Sequence, residues 1–205
     1  MTAGPAVRLP RAARRAQILD AATRAFARSG YSATSLDDVA AEAGITRVLL
    51  YRHFESKADM YRSVLERAGQ RITAMVGIGE DLRPEAVAAL LQAAAADPDA
   101  FRLLFRHAAR EPEFREYIDT LTAESTEIAQ SNLARLIPPG PWLDWAAKVV
   151  PALTTEAVIA WLDAGRPAPE QAALRIGLAI DGVVTAARTA LPPGAVCPAV
   201  PPVPD

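Results

Sequence analysis

Residues 35–57 read SLDDVAAEAGITRVLLYRHFESK, a segment with the pattern of two short helices joined by a tight turn. Ser35 and a carboxylate three residues later form a capping-box pattern, which predicts that a helix begins there. Ala40 is small enough to let two crossing helices approach closely, and Gly44 is a turn residue that tolerates a positive φ. The apolar residues expected beneath the crossing are Val39, Ile45 and Leu50. We therefore interpret the segment as a helix-turn-helix.

Helical patterns flank this segment on both sides. An apolar residue at every fourth position predicts a helix over residues 11–29, which Gly30 ends. Thr46 is expected to cap a third helix that runs through Phe54, and Ser56 is expected to cap a long fourth helix. The apolar stripe of that fourth helix consists of Met60, Val64, Leu65, Ala68, Ile72 and Met75.

The rest of the chain also has helical patterns. The predicted helices cover residues 84–96, residues 98–110, a segment that begins at Pro112, residues 142–164 and residues 168–191. Pro151 is expected to kink one of these helices or to divide it into two pieces. The sequence shows no alternation of β-branched and aromatic residues bounded by hairpin turns. The predicted fold class is therefore all-α.

The formal net charge of −2 is unevenly distributed along the chain. Residues 1–57 hold nine Lys and Arg against five Asp and Glu, whereas the remainder holds 13 against 19. A basic head on an acidic body favours a protein that approaches a polyanion with one end only. Charge alone is also compatible with a chance cluster on a solvated face.

Composition disfavours several classes of protein. No run of about 18 apolar residues is present and the first ten residues have no apolar signal core, so we expect a cytoplasmic protein without a membrane span. A single cysteine, Cys197, rules out an intramolecular disulfide and a cysteine-cluster zinc site. Two histidines and no glycine-rich phosphate loop provide no catalytic set. An enzyme is thus a remote alternative, and neither a metal nor a cofactor is expected.

Two parts of the chain carry a resemblance to a known family. Leu50-Tyr51-Arg52-His53-Phe54, followed by Ser56-Lys57, resembles the end of the recognition helix in the TetR family of bacterial regulators. Residues 21–45, AATRAFARSGYSATSLDDVAAEAGI, resemble that family's first two helices. The resemblance implies a homodimer with nine or ten helices per subunit. In such a dimer the first three helices bind DNA, the middle helices surround a ligand cavity, and the last two form a four-helix bundle.

This comparison gives the expected domain organisation. A disordered basic arm over residues 1–10 precedes a helix-turn-helix DNA-binding domain over residues 11–56. A helical ligand-binding and dimerisation domain follows over residues 57–191. Residues 192–205 contain six prolines, a composition typical of a disordered tail.

The third helix is expected to enter the major groove. Arg47 can donate two hydrogen bonds to a guanine edge, and Thr46, at the helix N-terminus, can bind a phosphate. Family members often have Gly or Pro and then Thr where this chain has Val48 and Leu49. Leu49 is therefore expected to touch a thymine methyl group instead of donating to a phosphate, and the alternative is that Val48 and Leu49 both pack inward.

Other contacts are implied by the resemblance. Tyr51, His53 and Lys57 resemble the family's phosphate contacts, and Arg52 suits either a base or a phosphate. Core packing is the alternative for Tyr51 and the expected role of Phe54. The predicted DNA-binding residues are Ser35, Thr46, Arg47, Leu49, Tyr51, Arg52, His53 and Lys57.

Two further sets of residues are predicted for the body. The resemblance implies a mostly apolar pocket lined by Ile72, Met75, Phe101, Phe105, His107, Tyr117 and Leu121, for which ordinary core packing is the alternative. Small residues at a regular spacing on the last helix favour a dimer seam, with an intrasubunit seam as the alternative. The predicted dimer residues are Val150, Leu153, Ala157, Trp161, Ala173, Gly177, Ile180, Val184 and Ala187.

The sequence thus predicts a DNA-binding transcriptional regulator. We expect a homodimeric repressor that binds a double-stranded inverted-repeat operator and is released by a small hydrophobic effector. A DNA-binding dimer that responds to no effector is the alternative.

Overall fold

The structure, a computed structural model, describes residues 9–77 and 84–190. Within these ranges every regular element is helical, so the predicted all-α class is confirmed. The α-helices are α1 (Arg11–Ala33), α2 (Leu36–Ala43), α3 (Arg47–Tyr51), α4 (Lys57–Val76), α5 (Pro84–Ala96), α6 (Pro98–Arg102), α7 (Arg115–Leu133), α8 (Pro141–Asp163) and α9 (Pro169–Arg188). None of them has the length and apolar content that crossing a bilayer requires. The predicted tail, and all but the last two residues of the predicted arm, lie outside the described residues.

The predicted caps and turn of the helix-turn-helix are confirmed. The Ser35 hydroxyl accepts a hydrogen bond from the backbone N–H of Asp38, and the Asp38 carboxylate accepts one from the backbone N–H of Ser35. Gly44 has a φ of 64°, which an L side chain rarely adopts. Gly30, with a φ of 76°, interrupts α1 where its end was predicted, although one more turn continues to Ala33.

The third helix is shorter than predicted. It ends at Tyr51 rather than at Phe54, because the chain beyond it tightens. The N–H groups of Arg52 and His53 donate to carbonyl oxygens three residues earlier, over 3.2 and 2.9 Å. Phe54 is then fully buried, as expected of a packing residue.

The middle of the chain departs from regular α-helix. The helix predicted over residues 98–110 is α-helical only as far as Arg102. A π-helical turn (Leu103–His107) and two 3-10 turns (Ala108–Arg110 and Pro112–Phe114) then connect α6 to α7. The proline of the second 3-10 turn therefore precedes α7 instead of beginning it.

Pro151 lies inside a single continuous helix, α8. The prediction of two abutting pieces is therefore wrong. Proline has no N–H to continue the helical ladder. Nearby, the Thr154 hydroxyl donates to the Val150 carbonyl over 2.7 Å.

Two hydrophobic cores organise the described residues. We call the first the body core; it lies among α5, α7, α8 and α9. Its largest members include Leu91, Phe101, Leu133, Ile159 and Trp161. We call the second the head core; it fills the space beneath α1, α2 and α3. Its members include Ile18, Phe26, Leu50, Phe54, Met60, Tyr61, Leu65, Leu103, Leu104 and Phe114.

The head core takes residues from both sides of the predicted domain boundary. The segment that follows α5 contributes Leu103, Leu104 and Phe114, and all three are at most 1% exposed. Ile72 on α4 and Phe105 on the π turn pack against both cores. The helix-turn-helix is thus continuous with the body rather than a separately packed unit.

Four aromatic rings join the head to the body. Phe26, Tyr31, Tyr61 and Phe114 form a cluster, with the Tyr61 ring centroid 4.7–4.9 Å from the other three. The Tyr31 hydroxyl donates to the Glu113 carboxylate over 2.8 Å. Burial and this hydrogen bond raise the pKa of Tyr31 to about 12, so the hydroxyl keeps its proton and remains a donor.

The predicted dimer seam lies mostly inside the subunit. Ile180, Val184 and Ala187 face α5 and α8 and belong to the body core, as do Val150 and Trp161 on α8. Leu153, Ala157 and Ala173 pack against the edge of that core, and Gly177 is half-buried between two core turns. Ile180, Val184 and Ala187 therefore pack within the subunit, as in the intrasubunit alternative, whereas a Cβ added at Gly177 would meet no atom within 4 Å.

The opposite face of α9 exposes large apolar side chains. Leu174 and Leu178, one helical turn apart, are 66% and 71% exposed. Near the start of α8, Trp142 and Trp145 are also exposed. These residues, rather than the predicted seam, are the apolar surface that the last two helices leave open.

Candidate nucleic-acid interface

Helices α2 and α3 present one polar surface at the end of the molecule. The turn at Gly44 places α3 across α2, and Val39 and Leu50 are buried beneath the crossing. The Thr46 hydroxyl caps α3 by accepting from the N–H of Leu49. The exposed residues of the α3 segment are Thr46, Arg47, Val48, Tyr51 and Arg52. Five of the eight predicted DNA-binding residues, Thr46, Arg47, Leu49, Tyr51 and Arg52, lie in this segment.

Arg47 is held in place by two neighbours. Its guanidinium donates to the Asp37 carboxylate over 2.8 Å and to the Tyr51 hydroxyl over 3.1 Å. The hydrogen bond that Arg47 donates to Tyr51 and the charge of Asp37 raise the pKa of Arg47 above its usual range. The Tyr51 hydroxyl accepts from Arg47, so its own O–H remains available to donate. Tyr51 is thus at the surface and not in the core.

The apolar pair on α3 divides between surface and interior. Val48 is 68% exposed, whereas Leu49 is half-buried. The sequence suggested a thymine contact for Leu49, with inward packing of the Val48–Leu49 pair as the alternative, and no base contact for Val48. A helix turns by 100° per residue, so these two adjacent side chains point in different directions. Val48 is the residue that this surface adds to the candidate set.

Arginines at the start of α1 lie beside His53. Burial lowers the pKa of His53, and the positive charges of Arg11, Arg15 and Arg14 lower it further. The Arg15 guanidinium also lies 4.6 Å from the centroid of the Phe54 ring. Both effects disfavour the protonated imidazole, and the arginines supply the positive charge here. These arginines were not among the residues predicted for DNA binding, although their i, i+3, i+4 spacing places them on one helix face.

Ser35 and Lys57 are engaged within the protein. The Ser35 hydroxyl forms the cap of α2. The Lys57 ammonium donates to the carbonyl oxygens of Tyr31, Ser32 and Thr34 over 2.9, 3.3 and 3.2 Å. Its nitrogen also lies 4.5 Å from the centroid of the Tyr31 ring. With three N–H donors so placed, Lys57 ties the C-terminal end of α1 to the start of α4.

A Lys57→Met substitution tests this structural role. Three carbonyl oxygens lose a charged donor, so we expect the free energy of unfolding to fall by about 2 kcal/mol. Urea denaturation followed by far-UV circular dichroism measures the change. Arg52→Met is the matched control, because Arg52 is an exposed cation only five residues away and should leave the midpoint in place. An unchanged midpoint for Lys57→Met would contradict the structural role and leave Lys57 as a candidate phosphate contact.

The residues predicted for the ligand pocket do not share one environment. Phe101 and Phe105 pack on each other with ring centroids 4.7 Å apart, and Phe101 is fully buried. Met75 is 46% exposed at the end of α4. Burial and the charges of nearby arginines lower the pKa of His107, which lies in the π turn. Tyr117 and Leu121 lie on α7 against the head core.

Two open grooves occur on the described part of the body. One, of about 300 Å³, is lined by Ala109, Arg115, Ile118 and Asp119. The other, of about 330 Å³, lies at the connection of α8 to α9 and is lined by Ala157, Trp161, Pro167, Ala168, Gln171, Ala172, Arg175 and Ile176. Neither groove is lined by any of the seven residues predicted to hold a ligand.

Comparisons with known proteins agree with this arrangement. A family model described as "Bacterial regulatory proteins, tetR family" matches residues 18–64, which include the whole helix-turn-helix. The transcriptional activator FasR of Mycolicibacterium smegmatis is 28% identical over 187 residues, 82% of this chain and 80% of that protein. The transcriptional repressor SCO4008 of Streptomyces coelicolor is 35% identical over 93 residues, 45% of this chain and 48% of that protein.

The fold is also similar to that of solved structures. The crystal structure of the transcriptional regulator FadR from Bacillus subtilis, in complex with stearoyl-CoA, matches with a TM-score of 0.61. The match covers 85% of this chain and 97% of FadR at 22% identity. Residues 18–64 therefore match the TetR family of bacterial regulatory proteins, and the chain is similar to a bacterial transcriptional regulator over most of its length.

Proposed function

We propose that the protein is a homodimeric transcriptional repressor that binds an inverted-repeat operator and leaves it when a small hydrophobic molecule binds the body. The observation that carries the proposal is the exposed face of α3, with Thr46, Arg47, Tyr51 and Arg52 at the surface beside arginines of α1. Phosphates and guanine edges accept the hydrogen bonds that these side chains donate. The regulators to which the chain is similar bind DNA, and we assign it the same role rather than an enzymatic one.

The proposed DNA contacts differ in kind. Arg47 and Val48 face outward from α3 and are the proposed base contacts, to a guanine edge and a thymine methyl group. Thr46, Tyr51 and Arg52 are the proposed phosphate contacts, together with His53 and the arginines that begin α1. Ser35 supports the surface by capping α2. We retain residues 11–56 as the proposed DNA-binding domain and assign the described residues after them to the body.

The proposed dimer buries the open face of the last two helices. Leu174 and Leu178 give α9 an apolar stripe that its own subunit leaves uncovered. A second copy supplies the same stripe about a twofold axis, so the surface is complementary to itself. A dimer of this kind carries two recognition helices in opposite orientations, which is the arrangement that an inverted repeat matches.

Repression and release follow from occupancy of the operator. A dimer that covers a promoter excludes polymerase without any further contact. Release requires that the body bind an effector. FadR, which has a similar fold, was solved in complex with stearoyl-CoA, so a body of this fold can hold such a molecule. In this chain Ile72 and Phe105 pack against both cores, so a ligand that separated them would shift α4 relative to the body. The effector-independent dimer is the second candidate, because neither groove contains the predicted pocket residues.

Operator selection from random duplexes is the direct test. We expect an inverted repeat whose half-site centres lie about 34–36 Å apart, or at a multiple of that distance. Affinity for it should fall linearly on a logarithmic salt scale, with a slope of about −0.9 for each phosphate neutralised. Fluorescence anisotropy with labelled duplexes measures both. Enrichment of direct repeats, or of no sequence, would contradict the proposal.

A second experiment separates the two candidates. Long-chain fatty acids and their coenzyme A esters are screened for a thermal shift, and compounds that stabilise the protein are added to the operator complex. Reciprocal coupling requires that a ligand which releases DNA binds the operator complex more weakly than the free protein. Equal affinity for the two forms would favour the effector-independent dimer.

A further inference from the structure

Asp37, Arg47 and Tyr51 form a continuous hydrogen-bonded line across the helix-turn-helix. Asp37 lies in the first turn of α2, Arg47 begins α3, and Tyr51 follows one helical turn later. One terminal nitrogen of Arg47 lies 2.8 Å from the Asp37 carboxylate, and the other lies 3.1 Å from the Tyr51 hydroxyl. The side chains of Arg47 and Asp37 remain 53% and 63% exposed. The line therefore lies on the surface that faces DNA in the proposed function.

Two contacts on different nitrogens fix the plane of the guanidinium. A free arginine side chain has several rotatable bonds and loses their freedom when it binds. Here the guanidinium of Arg47 is already oriented, because one contact comes from α2 and the other from α3 itself. An arginine has five N–H donors, and these two contacts leave three of them unused. Guanine recognition needs two parallel donors toward its O6 and N7 atoms.

We propose that Asp37 is a positioning residue for Arg47 and thereby determines base preference at one position of each half-site. This inference rests on the proposed function, since it needs α3 to lie in the major groove. Asp37 orients the guanidinium of Arg47 without contacting the base. Its carboxylate is at the same time a negative charge near the phosphates, so it weakens binding to every sequence. Asp37 thus lowers the affinity for DNA of any sequence and raises the preference for one base.

A role in helix stability is distinguishable from this one. An acidic residue in the first turn of a helix interacts favourably with the helix dipole. In α2, however, Asp38 already accepts from both the backbone N–H and the hydroxyl of Ser35. If Asp37 acted only on the helix, its loss would lower stability and weaken specific and random DNA alike.

The test compares Asp37→Ala with wild type on three sets of duplexes: the selected operator, the operator substituted at each position in turn, and random DNA. In wild type one guanine should be preferred by about 5- to 150-fold over other bases. Asp37→Ala should reduce that preference to the level of Arg47→Ala while binding random DNA more tightly. The double variant should show no further loss, because the two residues act as one unit.

Two further variants complete the design. Glu55→Gln removes a negative charge from the same domain at an exposed residue outside the line, so it should tighten random binding and keep the base preference. Asp37→Asn keeps an acceptor for Arg47 without the charge, so it should retain part of the preference. Thermal melting verifies that each variant is folded.

The outcomes separate the inference from the function on which it rests. If wild type selects a sequence and Asp37→Ala keeps the full preference at every position, the positioning role is overturned and the proposed function stands. A uniform loss on operator and random DNA would also overturn it, in favour of a helix-stabilising role. If wild type selects no sequence, both proposals fail together.

Discussion

Replacing Leu178 with glutamate is expected to convert the protein into a folded monomer of 21.8 kDa. Leu178 is 71% exposed in the subunit and lies in the apolar stripe that the proposed dimer buries. A twofold interface contains each substitution twice, and burial of an unpaired carboxylate is costly. We expect the dissociation constant of the dimer to rise by at least 100-fold. Sedimentation velocity measures the mass, and circular dichroism verifies that helicity is retained.

The same variant should lose the operator. Two linked recognition helices gain an effective concentration that separate monomers lack, so affinity for the full inverted repeat should fall by about 10²- to 10⁴-fold. Affinity for a single half-site should stay close to that of wild type.

Two control variants locate the interface. Ile128→Glu introduces the same charge at an exposed apolar residue of α7 and should leave the dimer intact. Val184→Glu places the charge in the body core, so it should unfold the subunit instead of separating subunits. A dimeric Leu178→Glu protein would show that α9 does not form the interface.

Phe114→Ala is expected to lower the free energy of unfolding by about 3–5 kcal/mol. The ring of Phe114 is 1% exposed and lies 5.0 and 4.7 Å from the rings of Tyr31 and Tyr61. Its removal leaves a cavity between the head and the body. Phe114→Leu, which fills most of that volume, should cost less than half as much.

Two optical probes distinguish local from global loss. All three tryptophans of the sequence are in α8, so tryptophan fluorescence reports the body, whereas far-UV circular dichroism reports all helices. Because the cores share Ile72 and Phe105, we expect both probes to give one midpoint, displaced equally in Phe114→Ala. An undisplaced fluorescence midpoint, with an earlier loss of dichroism, would show that the head unfolds alone.

The features predicted well from the sequence are local ones. A cap or a turn is decided by a few neighbouring residues, so Ser35, Gly44 and Ser56 identified their elements without knowledge of the rest of the chain. The helix-turn-helix followed from these residues and from the apolar positions between them. The same reasoning placed Arg47 and Tyr51 at the surface of α3, where the structure has them.

The features that sequence could not determine depend on which neighbour a side chain meets. Helix α9 has apolar residues on two faces, and spacing alone does not say that Ile180 faces its own subunit while Leu178 faces outward. Lys57 has the residue type of a phosphate contact, yet the end of α1 supplies three carbonyl oxygens within its reach. The link from Asp37 to Arg47 spans two helices, so only their packing angle creates it.

The composite head core has a consequence for synthesis of the chain. Proteins emerge from the ribosome N-terminus first, and domains commonly fold in that order. Here the helices that carry every proposed DNA contact are complete in sequence by residue 57, but Leu103, Leu104 and Phe114 must still be translated before their core can close. Until these residues have been translated, the head of the nascent chain leaves part of its apolar surface uncovered. We therefore expect that the head can engage DNA only once that later segment has left the ribosome.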